Sequence, residues 1–148
     1  MSHFTQIKTK FRHREHLVSA LIQLNLSPEV HEVAQALQGY YGAQEQYTAE
    51  IIVPGRTIKA RADIGFKWSD ATSGYEVIHD EYETAPRLGA DFFNGKLLRA
   101  YGDLVVRAKA AELQEQLGEC TITESSQGTQ RTLRLAFAGH QHVQQTRR

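Results

Sequence analysis

Residues 46–68, QYTAEIIVPGRTIKARADIGFKW, are the stretch that decides the fold. Tyr47, Ala49, Ile51 and Val53 share one face of an extended chain. Pro54-Gly55 then reads as a turn. Beyond it Ile58, Ala60, Ala62, Ile64, Phe66 and Trp68 take every second position, with Lys59, Arg61, Asp63 and Lys67 between them. Successive side chains of a strand point to opposite faces, so the pattern predicts strands over 46–53 and 58–68, each with an apolar and a polar face. Parallel strands are apolar on both faces, so the alternation favours an antiparallel sheet.

Working outward, 69–74 reads as a turn and 75–83 as the next strand, closed by Ala85-Pro86. Upstream, 4–10 alternates like a short first strand. Leu17, Ala20, Leu21 and Leu24 make one apolar stripe of a helix over 13–25, which ends at Ser27-Pro28. Residues 29–37 fit either a helix or a strand. Downstream, 87–117 has near-helical apolar spacing, and Gly95 and Gly102 leave open whether it is one helix or two. Gly118 suits a helix C-terminus, and 120–124 with 131–137 reads as a hairpin in which Leu133, Leu135 and Phe137 share a face. The expected fold is α+β: a twisted antiparallel sheet with two main helices packed on one face. One domain is expected over 1–138, with a disordered tail over 139–148.

Lys and Arg number 17, as do Asp and Glu, so the formal net charge is zero. Nucleic-acid binding draws on phosphate neutralisation, so this balance does not favour it. Cys120 is the sole cysteine, which excludes an internal disulfide and a paired-cysteine zinc site. The start, Met1-Ser2-His3-Phe4, has no apolar region of a secretory signal, and no run is long enough to insert in a membrane. A cytoplasmic protein without a cofactor is the expectation.

Candidate chemistry is sparse. His13 and His16 stand at helical spacing, but Arg12 and Arg14 beside them repel a cation. His140 and His142 lie in the tail, where ordering on a metal costs entropy. Cys120 lacks a recognisable activating base. Gly39-Tyr40-Tyr41-Gly42 has no phosphate-loop pattern, and reads instead as a turn presenting tyrosines. His79-Asp80-Glu81, with His3, is the ligand-site candidate, since carboxylates near a histidine suit acid–base or metal chemistry. Tyr40, Tyr41, Lys59, Arg61, Lys67 and Trp68 are candidates for contact with a partner, through the turn and an uncovered sheet face. Basic residues interleaved with aromatics also leave RNA binding as an alternative.

Several short motifs occur in an order that resembles a known family. They are Met1-Ser2-His3-Phe4, Gly39-Tyr40-Tyr41-Gly42, Asp63-Ile64-Gly65-Phe66-Lys67-Trp68, Tyr75-Glu76-Val77 and Arg99-Ala100-Tyr101. Together they are similar to the hypothetical chloroplast open reading frame 35 family, a domain of unknown function (number 1257) of cyanobacteria and plastids. The resemblance implies a small soluble protein of the cytoplasm or plastid stroma, accessory to a larger system, with no activity to carry over. The expected function is a non-catalytic accessory or assembly protein that binds a protein partner. The alternatives are a small-ligand- or metal-binding domain or enzyme, and an RNA-binding accessory protein. A homo-oligomer through a free strand edge stays open.

Overall fold

The computed structural model describes residues 3–117, 120–127, 130–137 and 143–147, with side chains over 3–116. Gly118, His140 and His142, and the side chains of Cys120, Leu133, Leu135 and Phe137, lie outside the described part. The chain falls into two compact units, Met1–Tyr101 and Gly102–Arg148.

The first unit holds five strands: β1 (Phe4–Lys8), β2 (Glu29–Gly39), β3 (Gly42–Val53), β4 (Ile64–Ser69) and β5 (Gly74–Asp80). They form one antiparallel sheet in the order β1-β5-β4-β3-β2. Helices α1 (Arg14–Gln23) and α2 (Glu81–Leu88) belong to this unit, and α3 (Lys96–Leu117) begins in it. The α+β class and the antiparallel sheet expected from the alternation are what the chain forms. The ambiguous residues 29–37 are strand β2, whose two register shifts against β3 bend the pair.

One sheet face is packed with rings. Phe11 lies edge-to-face with Phe66 and Tyr101, and Phe66 with Phe93. Leu17, Ala20 and Leu21 of α1 and Leu97 of α3 are buried in the same unit. The Tyr101 hydroxyl accepts from the Arg12 and His13 amides at 2.9 and 3.0 Å, just ahead of α1. Those amides lie just ahead of the first turn of α1, so Tyr101 pins the chain where it enters the helix.

The opposite face was expected to stand open, and it does not. Phe4, Leu37, Ala49, Ile52, Ala62 and Ile78 form a second buried cluster there, with Tyr47 packed against it. Phe4 belongs to one edge strand and Leu37 to the other, so the sheet curls enough to bring side chains from both edges into one cluster. Gly65 permits this: a Cβ there would stand 2.8 Å from both Ala49 Cβ and Leu37 Cδ1.

Three expected boundaries are corrected. Residues 58–68 are not one strand. Gly55–Ile58 is a 3₁₀ turn, Lys59 is left-handed, and β4 starts only at Ile64. The Asp63 carboxylate folds this loop, accepting from Gly55 N and Gln38 N at 2.9 Å each, while Asp63 N donates to Gln38 O at 2.8 Å. Lys59, Arg61, Asp63 and Lys67 therefore do not share a strand face. Next, the strand expected over 75–83 ends at Asp80, whose side chain accepts from Tyr82 N and starts α2. Finally, the helical region expected over 87–117 is the end of α2, a connection, and α3.

In the second unit, β6 (Cys120–Gln127), β7 (Gln130–Phe137) and β8 (Val143–Arg147) form an antiparallel sheet in that order. The hairpin pairs Cys120 with Phe137 and Gln127 with Gln130. No described helix is long and apolar enough to cross a membrane.

Candidate functional site

The β2–β3 hairpin ends at Gly39-Tyr40-Tyr41-Gly42, where Gly42 has a φ of 114° that a side chain would strain. The two tyrosine rings meet edge-to-face at 4.9 Å. Arg61 braces the first of them: its guanidinium lies 5.2 Å from the Tyr40 ring centre, and Nη1 donates to the hydroxyl at 3.2 Å. Arg61 is itself anchored, because its amide donates to the buried Glu83 carboxylate of α2 at 2.6 Å. Arg87, one turn along, donates to Glu83 O at 2.7 Å and to Lys59 O at 2.9 Å. The loop that carries Arg61 is thereby tied to α2, and the tip tyrosine to the loop. Tyr41 remains 72% exposed.

Beneath this tip lies a cavity of about 240 Å³. Phe4 and His3 line it from the β1 end, Tyr40, Tyr41, Gln44, Gln46 and Tyr47 from the hairpin, and Asp80 from the end of β5. Phe4 and Asp80 are register partners, which is why they reach the same side of the sheet. Asp80 is only 2% exposed, and its Oδ1 accepts from Tyr82 N at 3.0 Å.

His79, one residue earlier on β5, points to the opposite face, as the strand period requires. It pairs with Thr5 in register and lies 4.7 Å from the Phe93 ring centre. Its Nδ1 is 2.7 Å from Thr84 Oγ1, and that hydroxyl donates to Asp80 O at 3.1 Å. The hydroxyl proton being used, Nδ1 carries the imidazole proton and donates. Burial pushes the His79 pKa below its ordinary 6.5, against the pull of Glu81 and then Asp80. His79 is thus a neutral core histidine, while Glu81 is exposed in the first turn of α2.

Of the residues expected to bind, the fold brings His3, Tyr40, Tyr41 and Asp80 around one cavity, with Arg61 on the outer side of Tyr40. His79 and Glu81 do not line it. Lys67 and Trp68 sit on β4. Lys67 Nζ donates to Thr48 at 2.9 Å, and Trp68 Nε1 donates to Asp70 at 2.8 Å. The Trp68 ring meets Tyr75, whose pKa burial raises, Arg14 lowers and Glu50 raises. Lys59 contributes its carbonyl to Arg87. Phe4, Gln44, Gln46 and Tyr47 were not expected at the site. Tyr47 stood out only as a strand residue, and Phe4 meets it across a sheet curl that no local pattern announces. Among the described residues no group of three or more His, Cys, Asp or Glu side chains is arranged to hold a metal.

The architecture is an α+β domain whose curled antiparallel sheet carries a tyrosine-tipped hairpin over an aromatic cavity. Residues 20–136 match the family described as "Protein of unknown function (DUF1257)", and the chain belongs to that family. No curated protein and no solved structure matches it. The motif Asp63-Ile64-Gly65-Phe66-Lys67-Trp68 has architectural roles here. Asp63 clamps the loop, Gly65 admits Leu37, and Phe66 fills the core.

Proposed function

We propose that the protein is a non-catalytic accessory or assembly factor that binds a protein partner through the Tyr40-Tyr41 tip. The observation that supports this reading is the tip itself: a mostly exposed Tyr41 beside a Tyr40 held by Arg61. Exposed aromatics with restricted freedom make good interface anchors, because little side-chain entropy is lost on docking. Arg61 adds positive charge at the tip, and Lys59 lies in the same loop, while Lys67 and Trp68, successive on β4, offer one contact on each face of the sheet. The likeness of the motifs to the chloroplast open reading frame 35 family supports a place in the cytoplasm or plastid stroma.

The test is a comparison of tagged wild type and Tyr41→Ala purified from native cells after nuclease treatment, with bound proteins identified by mass spectrometry. A stoichiometric protein on wild type that is lost from Tyr41→Ala is the expected result. A partner held equally by both, or none on either, overturns the reading. The cavity favours a second reading, a small-ligand-binding domain, in which His3 and Asp80 take part.

A further inference from the structure

We propose that the cavity under the hairpin tip is a binding site for an organic ammonium group, with methylated ammonium as the preferred form. This goes beyond the partner reading, because it concerns the cavity and can be measured on the purified chain.

Four aromatic rings, Phe4, Tyr40, Tyr41 and Tyr47, line the cavity. They come as two edge-to-face pairs, Phe4 with Tyr47 at 61° and Tyr40 with Tyr41 at 72°. The corner between two steeply inclined rings is walled by a face of each. Ring faces carry the negative lobe of the quadrupole, and so attract a cation. Arg61 over Tyr40 already shows one of these rings engaged by a positive charge, from a residue that does not line the cavity.

Asp80 supplies the second element. Asp80 lines the cavity yet is almost wholly buried, so its charge acts through less water than a surface carboxylate would. One hydrogen bond to Tyr82 N uses a fraction of a carboxylate's acceptor capacity. Among the described residues no Lys or Arg lines the cavity, and the other polar liners are Gln44, Gln46 and His3.

Ligand class follows from this composition. An anion would face Asp80 at close range. A hard metal ion needs several oxygen ligands, and the described residues gather no such group here. A primary ammonium is strongly hydrated and wants three acceptors. A methylated ammonium sheds water easily and spreads its charge over methyl groups that pack on ring faces. At about 240 Å³ the space is below the roughly 300–1,000 Å³ usual for drug-sized ligands, which suits a compact head group.

The experiment titrates choline into the purified full chain at constant ionic strength, followed by amide NMR shifts and calorimetry. A parallel titration uses 3,3-dimethylbutan-1-ol, choline's uncharged carbon analogue. Saturable binding of choline, with shifts centred on Tyr47 and Asp80 and much weaker binding of the alcohol, is expected. Asp80→Asn should weaken choline by about tenfold or more, because it removes the carboxylate charge that attracts the cation across the cavity. Asn caps helices as well as Asp, so that variant keeps α2, and unchanged Trp68 emission confirms its fold. Tyr47→Leu should weaken binding while keeping the cavity apolar. A short peptide with trimethyl-lysine, against its unmethylated form, separates two sources. Tighter binding than choline identifies a side chain as the natural ligand, and weaker binding a free small molecule. No saturable choline binding, equal binding of the alcohol, or an Asp80→Asn variant with unchanged affinity overturns the proposal.

Discussion

Replacing Asp63 by Ala should cost this fold several times what an exposed loop carboxylate is worth. Two amides, Gly55 N and Gln38 N, lose their charged acceptor. Gly55 is buried, and a Cβ on it would lie 2.8 Å from the Ala60 and Ala62 carbonyl oxygens, so water has little access to its amide. Leaving such a donor unpaired costs about 1–3 kcal/mol. Gln38 is exposed, and water replaces most of its bond, for about 0.5–1 kcal/mol. The sum is about 1.5–4 kcal/mol. Asp63→Asn keeps one carbonyl oxygen and should lose roughly half as much, because its amide can serve only one of the two N–H groups. Urea unfolding followed by the single tryptophan, Trp68, reads the first unit directly. With a slope of about 2 kcal/mol/M, Asp63→Ala should move the midpoint down by about 0.75–2 M at unchanged slope. A loss below about 0.5 kcal/mol, the range of an ordinary surface substitution, would refute the clamp. So would Asn behaving worse than Ala.

Other predictions rest on independent features. Gly65→Ala should destabilise by about 1–3 kcal/mol through overpacking against Leu37 and Ala49, and Leu37→Val in the same chain should recover part of that, measured by the same urea midpoints. Tyr101→Phe removes the acceptor of the Arg12 and His13 amides and should cost about 1–2 kcal/mol, with faster hydrogen exchange at the start of α1. Because the folded state holds the His79 pKa below 6.5, the unfolded chain takes up that proton first as pH falls. The contribution is therefore complete above the ordinary pKa and declines as pH drops below it. His79→Leu should flatten the fall of the urea midpoint between about pH 7 and pH 5, and an unaltered pH profile would count against a buried neutral imidazole.

The fold class was legible because alternation over 46–53 and 64–68 is a local signal. Residues 58–63 alternate too, yet Asp63 recruits amides from both Gly55 and Gln38 and turns that segment into a loop. Helix α2 carried a signal that strand periodicity masked: Asp80 followed by Glu83 three positions later is the pattern of a helix N-terminus. At the site, Tyr40 and Tyr41 were legible from glycines on either side. His79-Asp80-Glu81 looked like one cluster because neighbours in sequence look like neighbours in space. The strand period sends His79 to the ring-packed face and Asp80 to the cavity. Phe4 and Tyr47 could not be read as cavity residues, since only the curl of the sheet brings their strands together.

That curl also governs the order in which the chain can be built. Among the described strands β1 pairs only with β5, Phe4 facing Asp80, so the first strand made is among the last to find its place. During synthesis β1 must wait, solvated, until β5 has emerged. The β2–β3 hairpin, closed by a two-residue turn, and the β4–β5 pair can form early and locally. Closure of the sheet then pairs Phe4 with Asp80 across the greatest loop in the first unit, and contacts of such separation slow folding. The cavity under the tyrosine tip, walled by Phe4 and the hairpin together, therefore exists only after this last step, and its appearance marks the completed fold.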